Sequence, residues 1–197
     1  MTTSVLLIRH AAHGDLGERL TGRGPEGGLS ARGREQAAAL ADQLSTERLA
    51  AVYASPRLRT RQTAEVICGS AEVQVADQLD EVDFGDWTGA AFAELEGDPV
   101  WERWNSERSV ATVPRGETMA EAQERAWRFV QSAARRHDGE TIALVTHCDI
   151  IRALVACVLG LSLDHILSFD TDPASVTRLA VGEWGAKLVS LNERVSA

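Results

Sequence analysis

The stretch Val5-Leu6-Leu7-Ile8-Arg9-His10 decides the reading of this chain. Its unbroken apolar run predicts a strand over residues 4–9, covered on both faces as strands inside an α/β sheet are. A second run, Ile142-Ala143-Leu144-Val145-Thr146, also ends in a histidine, His147. In an open α/β sheet the ligand crevice lies just beyond the carboxyl ends of the strands. Two buried strands therefore bring two imidazoles to one sheet edge, within reach of one ligand. Arg9 beside the first of them points to an anionic ligand.

Outward from these runs, strand-like and helix-like patterns alternate, as in a doubly wound sheet. Ser30 caps a helix over residues 30–47, in which Ala37, Leu40, Ala41 and Leu44 share one face. A short strand, Ala50 to Ala54, runs into Ser55-Pro56, where Ser55 can cap and Pro56 can open a helix reaching Cys68. Residues 72–76 read as a third strand, followed by a glycine- and tryptophan-rich loop from Phe84 to Gly89. The stretch 90–113 is weakly periodic and reads as an insertion of short helices, with Trp101 and Trp104 placed over the site or packed on the core edge. Thr118-Met119-Ala120-Glu121 is a capping box, and the helix behind it has Met119, Ala122, Ala126, Phe129, Val130 and Ala133 on one face. A strand over 141–146 and a helix over 149–159 follow, stopped by Gly160. Residues 175–180 and 187–191 read as an antiparallel hairpin at the sheet edge.

Composition sets bounds. The 197 residues suit one domain, 1–197, with the insertion at about 90–113. A formal net charge of −9 argues against nucleic-acid and anionic-membrane partners, which need basic surfaces. The three cysteines, Cys68, Cys148 and Cys157, form no CxxC pair, and Cys68 and Cys157 read as small core residues. That usage fits a reducing cytosol, and the N-terminus lacks the features of a signal peptide, so a cytoplasmic protein is expected.

Several clusters carry chemistry. Ser55 to Ala64 places Arg57, Arg59 and Arg61 at a helix N-terminus, where anions bind readily. Arg57 and Arg61 suit a solvated face; Arg59 fits that reading less well. The acidic stretch Asp80-Glu81-Val82-Asp83-Phe84-Gly85-Asp86 can place one carboxylate near the histidines as a proton donor, and spacing alone does not say which. Pro114 to Thr118 reads either as amides facing an anion or as a turn and cap. His10 and His13 have a spacing that shares a metal on a helix, but this is a glycine-rich loop without a matching ligand set, so no metal is expected. Cys148 has no cap or basic cluster of its own and does not read as a nucleophile.

In order along residues 5–155, these clusters resemble the histidine phosphatase superfamily, also called phosphoglycerate mutase-like. Arg9-His10-Ala11 stands for its Arg-His-Gly, and Leu29-Ser30-Ala31-Arg32-Gly33-Arg34-Glu35-Gln36-Ala37 for its Leu-Ser-x-x-Gly-x-x-Gln-Ala. The segment Ser55 to Ala64 matches Ser-Pro-x-x-Arg-x-x-Gln-Thr-Ala, Leu79 to Gly89 matches Leu-x-Glu-x-x-x-Gly-x-Trp-x-Gly, and Gly116-Glu117-Thr118 and Thr146-His147-Cys148 complete the set. The resemblance implies a doubly wound three-layer α/β/α sandwich, its sheet mostly parallel with an antiparallel edge. It also implies His10 as nucleophile, Arg9, Arg59 and His147 as the phosphate clamp, and Glu81 as the acid and base. His13, Arg23 and Cys148 join the clamp as substrate-binding candidates.

Three positions depart from the pattern: Ala11 for glycine, His13 for Thr or Ser, and Leu16 where asparagine is often found. If the Ala11 position needs φ > 0, the loop is strained by about 1 kcal/mol, and Arg23 is available to supply a missing positive contact. The implied activity is metal-independent and cofactor-free hydrolysis of a small phosphorylated metabolite through a phosphohistidine, with a homodimer left open. A phosphoglycerate-type mutase and a catalytically silent phospho-ligand binder are the alternatives. The shortness of the chain favours hydrolysis over the first, and an intact Glu81 disfavours the second.

Overall fold

The two apolar runs are neighbouring strands. In the computed structural model, which describes residues 1–25, 27–69 and 72–194, the first run lies in β1 (Thr2–Arg9) and the second in β4 (Thr141–Thr146). They are parallel and in register, from Ser4 opposite Thr141 to Arg9 opposite Thr146. With β2 (Leu49–Ala54), β3 (Val73–Val75), β5 (Val176–Gly182) and β6 (Gly185–Glu193) they form one sheet of order β3-β2-β4-β1-β5-β6. The first four strands of that order run parallel, and β5 and β6 add an antiparallel hairpin at the edge.

Strand side chains alternate between faces, and here both faces are covered. Leu6, Ile8, Val52, Ala54, Ala143 and Val145 pack against Ala37, Leu40 and Leu44 of α1 (Ala31–Leu44) and Ala64 and Ile67 of α2 (Leu58–Ile67). On the other face, Val5, Leu7, Tyr53, Ile142 and Leu144 meet α5 (Met119–Arg136) and α6 (Cys148–Leu159). The result is the expected α/β/α sandwich, and the double covering is why its central strands are apolar at successive positions rather than at alternate ones.

Local signals explain most element ends. Ser30 Oγ accepts from the Gly33 amide, Thr118 and Glu121 close their capping box, and Gly160 ends α6 at φ 66°. α1 stops at Leu44, three residues before the expected end. The second helix begins at Leu58 with Arg57 at its cap, not at Pro56; Ser55 lies ahead of it, its Oγ accepting from the Arg57 amide at 3.3 Å while also meeting His147 and Asp80. Cys68 and Cys157 are half-buried rather than core residues. Within 90–113 lie α3 (Phe92–Leu95) and α4 (Pro99–Ser106). Their two tryptophans differ in setting: Trp104 is completely buried, whereas Trp101 is half-buried against Trp87, ring centroids 5.2 Å apart.

α1 and α2 also hold the loop after β1. Ser30 Oγ donates to the Ala12 carbonyl at 3.1 Å, the Ala12 amide donates to Gln36 Oε1 at 3.0 Å, and the Ala11 amide donates to Thr63 Oγ1 at 3.0 Å. Gly33 makes this docking possible, since a Cβ there would lie 1.9 Å from the Ala12 oxygen. Ala11 does not adopt a positive φ, so the anticipated strain at that position is absent.

Candidate active site

The register of β1 and β4 sets His10 beside His147. The His10 amide donates to the Thr146 carbonyl at 3.0 Å, extending the pairing by one residue, and the two imidazole centroids are 5.3 Å apart. His10 Nδ1 lies 2.8 Å from the Ala11 carbonyl. A carbonyl can only accept, so Nδ1 carries the hydrogen and Nε2 the lone pair. Burial, helped by the charges of Arg59 and Arg9, holds the His10 pKa well below its ordinary value. His147 is depressed in the same way, first by burial and then by Arg59. Both rings are neutral at pH 7.

Arg59, on the first turn of α2, is 2% exposed and donates from Nη2 to the Gly22 carbonyl at 2.8 Å and to His147 Nδ1 at 3.0 Å. Arg9 donates to the Thr171 carbonyl at 2.6 Å. Arg61 is exposed, as a solvated face requires, but Arg57 is not a surface group. It is half-buried and grips Asp80 with two hydrogen bonds of 2.9 and 2.8 Å.

Glu81 follows the short 3₁₀ turn Asp77–Leu79. Its Oε1 accepts from the Val82 amide at 2.9 Å, and its Oε2 is 3.8 Å from His147 Nδ1. Burial, with a further push from Asp149, raises its pKa to about 7, while Arg59 and the Val82 amide pull the other way. Behind it, the Glu81 carbonyl accepts from Arg23 Nε at 2.7 Å and Arg125 Nη2 at 3.0 Å, and both guanidiniums pair with Glu117. Arg23 therefore braces the acid from outside the cavity instead of reaching into it. The segment from Pro114 to Thr118 forms a turn and cap that puts Glu117 in this brace, and it supplies no amides to the cavity lining.

A cavity of about 470 Å³ opens over these groups, lined by Arg9, His10, His13, Arg59, Glu81 and Cys148. His13 is buried, its ring centroid 5.4 Å from that of His10. The Cys148 sulfur is 3.1 Å from Thr171 Oγ1, and burial pushes its thiol pKa up, which disfavours a thiolate. Farther out the wall consists of Leu16, Arg19, Phe92, Trp101, Asn105, Arg108, Asp149 and Arg152. Arg108 donates to Asp149 at 2.9 Å and to Asn105 Oδ1 at 2.9 Å, with Trp104 stacked beneath its guanidinium at 5.2 Å. Asp149 is held below the usual carboxylate range by Arg108 and Arg152 against the opposing effect of its burial. Among the described residues, no group of three or more His, Cys, Asp or Glu is arranged to hold a metal ion. No helix among them is long and apolar enough to cross a membrane.

Sequence reasoning missed the roles of Asp80, Arg125, Arg108 and Asp149. The chain as a whole is similar to known proteins. Phosphoserine phosphatase 1 of Hydrogenobacter thermophilus is 33% identical over 168 residues, covering 83% of this chain and 80% of that one. Adenosylcobalamin/alpha-ribazole phosphatase of Escherichia coli is 26% identical, with 95% of each chain covered. The solved structure of Bacillus stearothermophilus YhfR superposes with a TM-score of 0.91 at 29% identity, over 97% of both chains. A family model for the histidine phosphatase superfamily (branch 1) matches residues 5–194, and the chain belongs to that superfamily.

Proposed function

We propose that this protein hydrolyses a small phosphomonoester through a phosphohistidine on His10, without a metal. One observation carries the reading: a neutral, buried imidazole with its lone pair on Nε2 shares a cavity with a carboxyl whose pKa is about 7. His10 Nε2 attacks phosphorus in line, the P–O ester bond breaks, and the Glu81 carboxyl gives its proton to the leaving oxygen. Arg9, Arg59 and His147 hold the non-bridging oxygens, and two permanent guanidinium charges supply the stabilisation a metal would otherwise give. The Glu81 carboxylate then takes a proton from water, whose oxygen attacks phosphorus as the P–N bond breaks. Inorganic phosphate leaves and His10 returns to its neutral form.

The name of the Hydrogenobacter relative supports a small phosphorylated metabolite as substrate, and a cavity of about 470 Å³ has the size of an ordinary small-molecule site. Release of phosphate from p-nitrophenyl phosphate, without conversion of 3- to 2-phosphoglycerate, is the expected activity. It should survive dialysis against EDTA. Protein quenched during turnover should carry acid-labile phosphate on His10, and His10→Ala should lose turnover. Phosphate mapped by mass spectrometry to Cys148 or His147, or activity restored only by added Mg²⁺ or Zn²⁺, would falsify the mechanism.

A further inference from the structure

Behind His147 runs a buried chain of hydrogen bonds that the transfer steps above do not use. Ser55 is completely buried, and its Oγ lies 2.7 Å from His147 Nε2 and 3.2 Å from Asp80 Oδ1. Asp80, itself 5% exposed, also accepts from the Glu81 amide at 2.9 Å and from Arg57 through both carboxylate oxygens.

What each partner can do fixes the direction of every bond. A guanidinium only donates, so His147 Nδ1, facing Arg59 Nη2 at 3.0 Å, accepts. The ring is neutral, so its single N–H is on Nε2 and donates to Ser55 Oγ. The serine hydrogen is then directed to Asp80, whose carboxylate only accepts. The opposite tautomer would set an N–H of His147 against an N–H of Arg59.

We propose that Asp80, acting through Ser55, is the positioning residue that fixes His147 as its Nε2–H tautomer with Nδ1 turned to the phosphoryl pocket. The proposal rests on the functional reading only for what Nδ1 meets there. When a phosphoryl oxygen enters, it takes over the hydrogen bond from Arg59. His147 Nδ1 then binds a proton from solvent and donates it to that oxygen; the proton returns to solvent when phosphate leaves. The imidazolium formed has Asp80 Oδ1 3.8 Å from its Nε2, so a carboxylate already in place balances the new charge. Arg59 and Arg57, His10 and Arg125 also act on the ring, from α2 and its cap, the end of β1 and α5, and Glu81 Oε2 lies 3.8 Å from Nδ1. Of the carboxylates, Asp80 is the one linked to His147 through a hydroxyl.

The test uses ¹⁵N-histidine-labelled protein and two-bond ¹H–¹⁵N spectra of His147, free and with saturating inorganic phosphate, for wild type, Asp80→Asn and Ser55→Ala. Free wild type should give the Nε2–H pattern, and the phosphate complex a doubly protonated ring. Asp80→Asn, close in shape to the wild-type residue, should show mixed tautomers when free and bind phosphate about 10- to 100-fold more weakly. Ser55→Ala should do the same. An Nδ1–H ring in free wild type overturns the proposal. So does an Asp80→Asn protein whose tautomer is unchanged and whose phosphate affinity stays within twofold. Failure of wild type to bind phosphate would instead overturn the functional reading, and the free-state tautomer in Asp80→Asn would still decide the role of Asp80.

Discussion

In the proposed reaction Glu81 gives a proton in one step and takes one in the next, and a pKa of about 7 makes both forms available near neutrality. Below that pH the carboxyl is protonated and serves as the acid; above it the acid is lost. For a poor leaving group such as a sugar alkoxide, kcat/KM should therefore fall by about tenfold per pH unit above 7, while p-nitrophenyl phosphate, whose leaving group departs unaided, should hold its rate further. Glu81→Gln should slow sugar-phosphate hydrolysis by roughly 10²–10⁴-fold in steady-state assays and formation of the phosphoenzyme from p-nitrophenyl phosphate far less. Burial is the main cause of the raised pKa and Asp149 the next, so Asp149→Asn should move the alkaline limb to lower pH. An unmoved limb would mean that the limb belongs to another group. Folding stability carries the same signature. The folded protein holds the Glu81 proton more tightly than the unfolded chain, so this residue's contribution falls as pH rises from about 4.5 to 7. His10 and His147 act in the opposite sense, their depressed pKa values withdrawing stability as pH drops below 6.5.

At the scale of elements, α4 presents two tryptophans one turn apart to different surroundings. Trp104 lies in the core, edge-on to Trp87 and Phe84, and supports the Arg108 guanidinium. Trp101 lines the cavity. Trp104→Ala should remove about 3–5 kcal/mol of stability, measured by thermal or urea unfolding. Trp101→Ala should leave the melting temperature close to wild type and change the ratio of kcat/KM values across a panel of phosphorylated metabolites. A large loss of stability from Trp101→Ala with an unchanged panel would place it with Trp104. From spacing alone the pair could not be separated, because residues three apart on a helix share a side and depth is set by what packs on them. What was legible had a local cause: the apolar runs of β1 and β4, the Ser30 and Thr118 caps, the Gly160 stop, and the order of the motifs. What was not legible joins residues far apart in sequence, as do Arg57 with Asp80 across 23 positions, Arg108 with Asp149 across 41 and Arg23 with Glu117 across 94. No periodicity encodes such pairs; the fold has to bring them together.

For the whole molecule, the site exists only when β1, α2, the Glu81 segment and the end of β4 are assembled, so an anion that binds there binds the folded state alone. Inorganic phosphate at about one hundred times its dissociation constant should then add roughly 3 kcal/mol, and raise the melting temperature of a chain this size by roughly 5–10 °C. Arg59→Met should abolish that rise. A melting temperature insensitive to phosphate or vanadate would count against the cavity as an oxyanion site. The pairing of Arg9 with Thr146 has one more consequence. A slip of a single residue between these two strands would turn every side chain of the shifted strand to the opposite face, burying one histidine under the wrong helices. Such a misfolded chain could keep most of its secondary structure and still lack one of the two histidines in the crevice. Recovered turnover after dilution from denaturant would thus report correct strand alignment, which circular dichroism cannot see.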